Sequence, residues 1–364
     1  MKIIEREKNM SHDTNYNFFI ASDDYEILRF GGESVREESK EIEVMVRYFG
    51  DSGLTEELLK ENSKKYNLEK MLDLVKKYFN REYGYYGNEI ELSNNYQHSV
   101  NSYIFLDDER TQFVHMDELF ESSIISFFLI MFKWTKELDN IDIYGDCFRY
   151  LLYILNDVCI LGIIPDFDSN EELFKIINGD AQIMTLAYAC YWTVVVFNLA
   201  HEVAHAYLAS INKKFTKKKK EEFVADAIAY DIVLQIIVDQ QKIPNQNRNL
   251  EDYTYLAPIM YMRFFDLFHY TDRVLYNKRI VNDTHPLPEE RISHLFAIAN
   301  DEKYMFETTD GNKLYDGFLD VYDEYRTQLL LKKERGKLDK IIRTDKREWR
   351  NVKDEQNRSK TVRL

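Results

Sequence analysis

A mainly helical α+β protein is the fold class this sequence predicts, and three observations predict it. Glycine and proline are scarce, 12 and 5 in 364 residues, which favours long helices and few tight hairpins over a β-sandwich or a glycine-rich dinucleotide framework. Apolar stretches of helical length crowd the middle of the chain, several of them apolar nearly all round, as helices inside a large domain are. Extended-looking segments fall within roughly the first hundred residues or close after them. With 45% hydrophobic and 30% charged residues there is enough apolar surface for a core, so disordered, collagenous and disulfide-scaffold classes are excluded.

The elements follow in order. Short extended segments are expected at Asn17 to Ala21, Tyr25 to Phe30, Glu41 to Tyr48 and Glu89 to Ser93, around one strongly helical stretch from Leu54 to Asn80. Ser102 to Leu106 and Gln112 to His115 flank the polar run DDER and read as a hairpin. Beyond it the pattern turns helical: Glu118 to Glu137, Phe148 to Gly162, Glu171 to Ile177 and Ala181 to Ile211. The run KKFTKKKK, Lys213 to Lys220, reads as a charged break, after which Glu221 to Gln241 resumes a helix that Pro244 ends. Three regions result: an N-terminal α+β region over residues 1–116, a helical domain over 117–314, and a C-terminal helix with a basic tail over 315–364.

Charge divides the chain as well. The net charge is -15, yet the 33 residues from Lys332 onward carry +7 and the first 331 carry -22. The body therefore repels nucleic acid and anionic lipid, and no stable nucleic-acid binding is expected from it. Cys147, Cys159 and Cys190 are odd in number and lack CxxC spacing, which fits reduced core thiols. With no signal-like apolar run in MKIIEREKNMSHD, the expected compartment is the cytoplasm. Ala181 to Ala200 carries no charge and is long enough for a bilayer, but Gln182, Thr185, Thr193 and Asn198 interrupt it and basic flanks are missing. It reads as a buried helix, with no membrane span.

The chemistry concentrates at His201-Glu202-Val203-Ala204-His205, an HExxH on the extension of that uncharged helix. Residues i and i+4 project from one helix face, so both imidazoles can reach one cation while Glu202 lies within reach of water bound to it. A catalytic zinc takes three protein ligands and keeps one position open. The next helix opens Glu221-Glu222-Phe223-Val224-Ala225-Asp226, where Glu222 and Asp226 form a second i, i+4 pair. Glu222 can supply the third ligand, and Asp226 can accept a hydrogen bond from the ring nitrogen of His201 or His205 that the metal leaves unused. Glu221 competes for the ligand role, but one turn on from it stands Ala225, which offers no partner. Alanines at 204, 206, 225, 227 and 229 let the two helices approach closely.

HExxH followed by ExxxD on a later helix resembles the signature of the gluzincin zinc metallopeptidases, which implies a zincin-like core in the helical domain. Asp283-Thr284-His285-Pro286 with Arg291-Ile292 is similar to the T-H-P...R-I segment of the CaaX prenyl protease and heat-shock membrane protease family. That resemblance implies that His285 stabilises the oxyanion or holds the substrate backbone, and that Arg291 pairs with a carboxylate near the site. The 16-residue interval between His205 and Glu222 is short for that family and no set of spans is present, so the soluble relatives are the nearer comparison. The chain also resembles phage-exclusion peptidases of the Lit type. The function expected is a zinc-dependent endopeptidase acting on a protein or peptide, with one Zn2+ per chain and Glu202 as general base. The alternative is an inactive scaffold that binds an acidic partner or nucleic acid through the basic tail, where Trp349 lies between Arg347 and Arg350.

Overall fold

The computed structural model describes residues 68–87, 89–92, 102–106, 112–116, 118–162, 167–241, 251–277, 285–301 and 309–338. The extended segments expected before residue 50, the start of the helix expected from Leu54, and most of the basic tail lie outside the described residues. Within them the chain is mainly α, with a small α+β region at its N-terminal side. Helix α1 spans Leu68–Tyr83 and buries Met71, Leu72, Val75, Tyr78 and Phe79 along one stripe at helical spacing. Strands β1 (Ile90–Leu92), β2 (Ser102–Leu106) and β3 (Gln112–Met116) form a sheet in the order β1-β3-β2. β1 runs parallel to β3, while β2 and β3 pair antiparallel with Leu106 opposite Gln112, the hairpin anticipated around DDER.

The helical body is built from α2 (Glu118–Lys136), α3 (Ile141–Tyr153), α4 (Phe167–Ile177), α5 (Ala181–Ser210), α6 (Lys218–Gln241), the single turn α7 (Glu251–Thr254), α8 (Ala257–Tyr276), α9 (Pro288–Ala299) and α10 (Thr309–Glu334). Two boundaries depart from the apolar pattern. The helix expected at Phe148 starts at Ile141, because Asn140 caps it by accepting hydrogen bonds from the backbone N–H groups of Asp142 and Ile143. It then widens into a π-helical segment, Ile154–Ile160, and the Asn156 carbonyl accepts from Leu161 N–H at 2.9 Å. Helix α4 likewise opens four residues before Glu171.

Helix α5 is the axis of the protein. Asp180 caps it by accepting from Ile183 N–H, and Asn212, at φ +52°, takes the left-handed conformation that ends it. By length and composition this helix could cross a membrane, but 89% of its most apolar window is buried inside the protein, against α2, α6, α1 and α8. All three cysteines are buried free thiols, and burial raises the pKa of each.

The run KKFTKKKK is a break only in part: Lys218, Lys219 and Lys220 form the first turn of α6. Ala200 and Ala204 of α5 and Ala225 and Ala229 of α6 are fully buried, and so small a side chain at each lets the two backbones come close. One hydrophobic cluster continues from Leu68 through Ile90, Val114 and the body helices to Leu338, so the core is unbroken across residues 116 and 314. At the far end of α6, Arg81 and Tyr78 of α1 both donate to Asp239, which fixes that helix from its other side.

Candidate metal centre

Helices α5 and α6 face each other over their polar residues, and three side chains converge there. His201, His205 and Glu222 each present a ligand atom, and all three atoms lie within 4.8 Å of one another. The two imidazole Nε2 atoms are 3.1 Å apart, with His201 Nε2 3.5 Å from Glu222 Oε2 and His205 Nε2 3.8 Å from Glu222 Oε1. Two ring nitrogens and a carboxylate meeting in this way could hold a metal ion, which would relieve three groups otherwise costly to bury together.

The outer nitrogen of each imidazole meets a further carboxylate. His201 Nδ1 lies 3.0 Å from Asp226 Oδ1, and His205 Nδ1 lies 3.1 Å from Glu221 Oε1. The His205–Glu221 contact has hydrogen-bond geometry, whereas His201 Nδ1 and Asp226 are within ion-pair distance but not aligned for a hydrogen bond; carboxylates so placed favour a proton on the outer nitrogen of each ring. Between His201 and His205, therefore, it is His201 that Asp226 serves. Glu221, considered from the sequence only as a rival ligand, faces the outer side of His205. Its signal in the sequence was the doublet Glu221-Glu222, whose side chains leave α6 about 100° apart and so reach different sides of the cluster.

Asp226 is itself clamped. Arg291 of α9 donates to it from Nε at 2.7 Å and from a terminal guanidinium nitrogen to the other oxygen. Helix α9 is set by Pro288 in its first turn and by the Glu290 carboxylate, which accepts from Leu287 N–H at 2.8 Å. His294, one turn beyond Arg291, donates from Nε2 to the Phe223 carbonyl at 3.2 Å and gives α9 a second tie to α6. His294 was not singled out in the sequence. His285 lies just before α9, with Nδ1 3.1 Å from Glu222 Oε2 and its side chain 47% exposed.

The electrostatics follow from this packing. Burial opposes a charged His201, but Asp226 and Glu222 outweigh it and raise the ring to about 9. Burial likewise opposes ionised Glu222 and Asp226. His201 and His285 nevertheless hold Glu222 well below the usual carboxylate range, while Arg291 and His201 hold Asp226 at about 2. Glu202, beside His201 on α5, is 6% exposed, and its charge adds to the field on His201.

All seven residues marked by the sequence, Glu202 among them, thus gather at one place, between α5, α6 and the start of α9. What fold and site define is a helical protein with a buried His-His-carboxylate cluster able to take a metal ion. The chain belongs to the Peptidase U49 family, whose model matches residues 83–307 and so spans the sheet and the whole cluster. The family is one of peptidases, which gives the chain proteolytic chemistry in general terms and a protein or peptide as substrate. No curated protein and no solved structure matches it.

Proposed function

We propose that this peptidase is a zinc-dependent endopeptidase of gluzincin type, with one Zn2+ per chain held by His201, His205 and Glu222. The observation that carries the reading is the convergence of His201, His205 and Glu222: one ligand atom from each lies within 4.8 Å of the others, with the two Nε2 atoms 3.1 Å apart, one Glu222 oxygen 3.5 Å from His201 Nε2 and the other 3.8 Å from His205 Nε2. Zinc bonds of about 2.0–2.1 Å to nitrogen and oxygen set tetrahedral ligands about 3.3 Å apart. The nitrogen pair is already near that spacing, and a turn of the Glu222 carboxylate would bring one oxygen toward both nitrogens. Two nitrogens and one oxygen also suit zinc better than calcium or magnesium, which prefer all-oxygen shells.

Bound zinc would supply Lewis acidity toward the scissile carbonyl and toward a water molecule. Glu202 would serve as the general base that takes a proton from the attacking water and returns it to the leaving amine. Asp226 and Glu221 keep the His201 and His205 rings turned inward, and Arg291 keeps Asp226 ionised and fixed. His285, half-exposed against Glu222, would donate to the substrate carbonyl oxygen as charge develops there, a role that its position at the edge of the cluster supports. The three buried thiols and the acidic body fit a cytoplasmic enzyme.

The test is Glu202→Gln. Metal content by elemental analysis should stay near one zinc per chain and the fold should be kept. Protein termini generated by the wild type in a proteome-wide labelling experiment should be absent with the variant. Zinc-free wild-type protein, or a variant with undiminished cleavage, removes the mechanism.

A further inference from the structure

The segment joining the two cluster-bearing helices holds Lys213, Lys214, Lys217, Lys218, Lys219 and Lys220, six lysines in eight residues. Five are exposed and Lys219 is half-buried, and none of the six side chains has a hydrogen bond or ion pair among the described residues. They adjoin the cluster. Lys220 precedes Glu221, which touches His205, and at 1.5 Å rise per residue Lys218 sits about 6 Å along α6 from Glu222.

Local stability does not account for them. Cations in the first turn of a helix oppose its dipole, at about 0.3–1 kcal/mol each. Elsewhere the chain follows the opposite preference, with Glu69 opening α1, Asp142 opening α3, and Glu289 and Glu290 opening α9. The cluster is most open at His285 and at Glu221, the residue that follows Lys220. The side chains of His205, Glu221 and His285 are 17%, 34% and 47% exposed, against 9% for His201 and 4% for Glu222. At that opening the carboxylates of Glu221 and Glu222, on a chain of net charge -15, would turn away any acidic polypeptide were the lysines not there.

We propose that residues 213–220 form a docking surface for an acidic segment of the protein substrate, so that the enzyme selects bonds flanked by Asp and Glu. This rests on the peptidase reading above and names its substrate class. The surface is all lysine, with no arginine fork for phosphate and one aromatic, Phe215, for stacking, which favours carboxylates on a peptide over a nucleic acid.

The experiment measures binding without turnover. In zinc-loaded full-length Glu202→Gln protein, fluorescein-labelled deca-glutamate is titrated by anisotropy at 50 and 500 mM salt, beside a labelled ten-nucleotide thymidine oligomer. Replacing all six lysines with Gln should weaken deca-glutamate binding about tenfold or more at low salt, with the difference shrinking at high salt. Replacing them with Arg should keep affinity within about threefold. A milder set, Lys213→Gln, Lys214→Gln and Lys217→Gln, leaves the helix itself untouched and should give an intermediate loss, which keeps the test open if the sixfold variant fails to fold. Deca-glutamate affinity indifferent to these substitutions overturns the proposal, as does tighter, lysine-dependent binding of the oligonucleotide. A chain that binds deca-glutamate through this loop but hydrolyses nothing would leave the docking surface standing and remove the peptidase mechanism alone.

Discussion

Asp226→Asn separates the structural from the metal-orienting work of one carboxylate. Asp226 is completely buried, accepts two hydrogen bonds from Arg291 and lies 3.0 Å from His201 Nδ1. The amide keeps the shape but removes the main counter-charge of a guanidinium that is itself only 16% exposed. Breaking a buried pair from one side costs about 3–5 kcal/mol, and the residual exposure of Arg291 places the loss near 3. With an unfolding entropy of about 2.1 cal/mol/K per residue, a chain of this length loses about 4 °C in Tm for that change. Differential scanning calorimetry of the protein in EDTA measures it. The second effect is on metal: loss of a partner that orients a ligating His costs about 10- to 100-fold in affinity, read by competition with a chromophoric chelator. Arg291→Met is the companion. It should give a comparable stability loss and a smaller metal effect, since the His201–Asp226 contact survives. Should Asp226→Asn bind metal within twofold of wild type while its Tm falls, Asp226 is a structural anchor for α9 and the orienting role is refuted.

Other consequences can be checked alongside. Because the pKa of His201 is raised from its ordinary value to about 9 in the metal-free protein, its contribution to stability is complete below about pH 6.5 and is lost as pH rises through 9. Urea denaturation in EDTA should accordingly show the metal-free protein weakening over that window, and zinc uptake at pH 7.5 should release about one proton from this ring, seen as a buffer-dependent heat in titration calorimetry. Equal heats in phosphate and Tris would contradict it. Glu221→Gln should lower zinc affinity about tenfold with stoichiometry retained, whereas Glu222→Ala should abolish stoichiometric binding; the reverse order would exchange ligand and orienting residue. His285→Ala should cut kcat about 100-fold with zinc affinity changed by less than threefold, and a large loss of zinc with kcat intact would make it a residue that positions Glu222.

How much of this could be read in the sequence depended on whether the signal was local. HExxH and ExxxD carry their geometry in their spacing, because one helical turn brings i and i+4 to the same face, and His201, His205, Glu222 and Asp226 do meet. β2, β3 and α2 fell within a residue or two of their pattern for the same reason. What failed was set by neighbours. The early start of α3 is made by the Asn140 cap, and the π-helical turn that follows is accompanied by a hydrogen bond from Tyr276 of α8 to Asn156, 120 residues away in sequence. Glu221 and His294 have ordinary local surroundings, and only the approach of α5 and α9 to α6 gives them partners. The lysines of α6 read as loop because their charge argues against a helix start, a preference overridden by the packing of the rest of α6 on α5.

Three carboxylates crowd the centre of this helix packing, an arrangement that a shared cation would stabilise. Glu202, Glu222 and Asp226 are all nearly inaccessible, and Arg291 answers one of the three directly. The metal-free protein recovers part of the deficit by protonating His201 near neutral pH, which places a positive ring between Asp226 and Glu222. That arrangement is a makeshift: with both rings turned inward at 3.1 Å, the two imidazole nitrogens can share at most one proton. A divalent ion held by His201, His205 and Glu222 would take the place of that proton and leave His201 neutral, with its outer nitrogen toward Asp226. Metal binding and helix pairing would then be one equilibrium, and the residues that fix the distance between α5 and α6, among them Ala204 and Ala225, would matter to metal affinity as the ligands do.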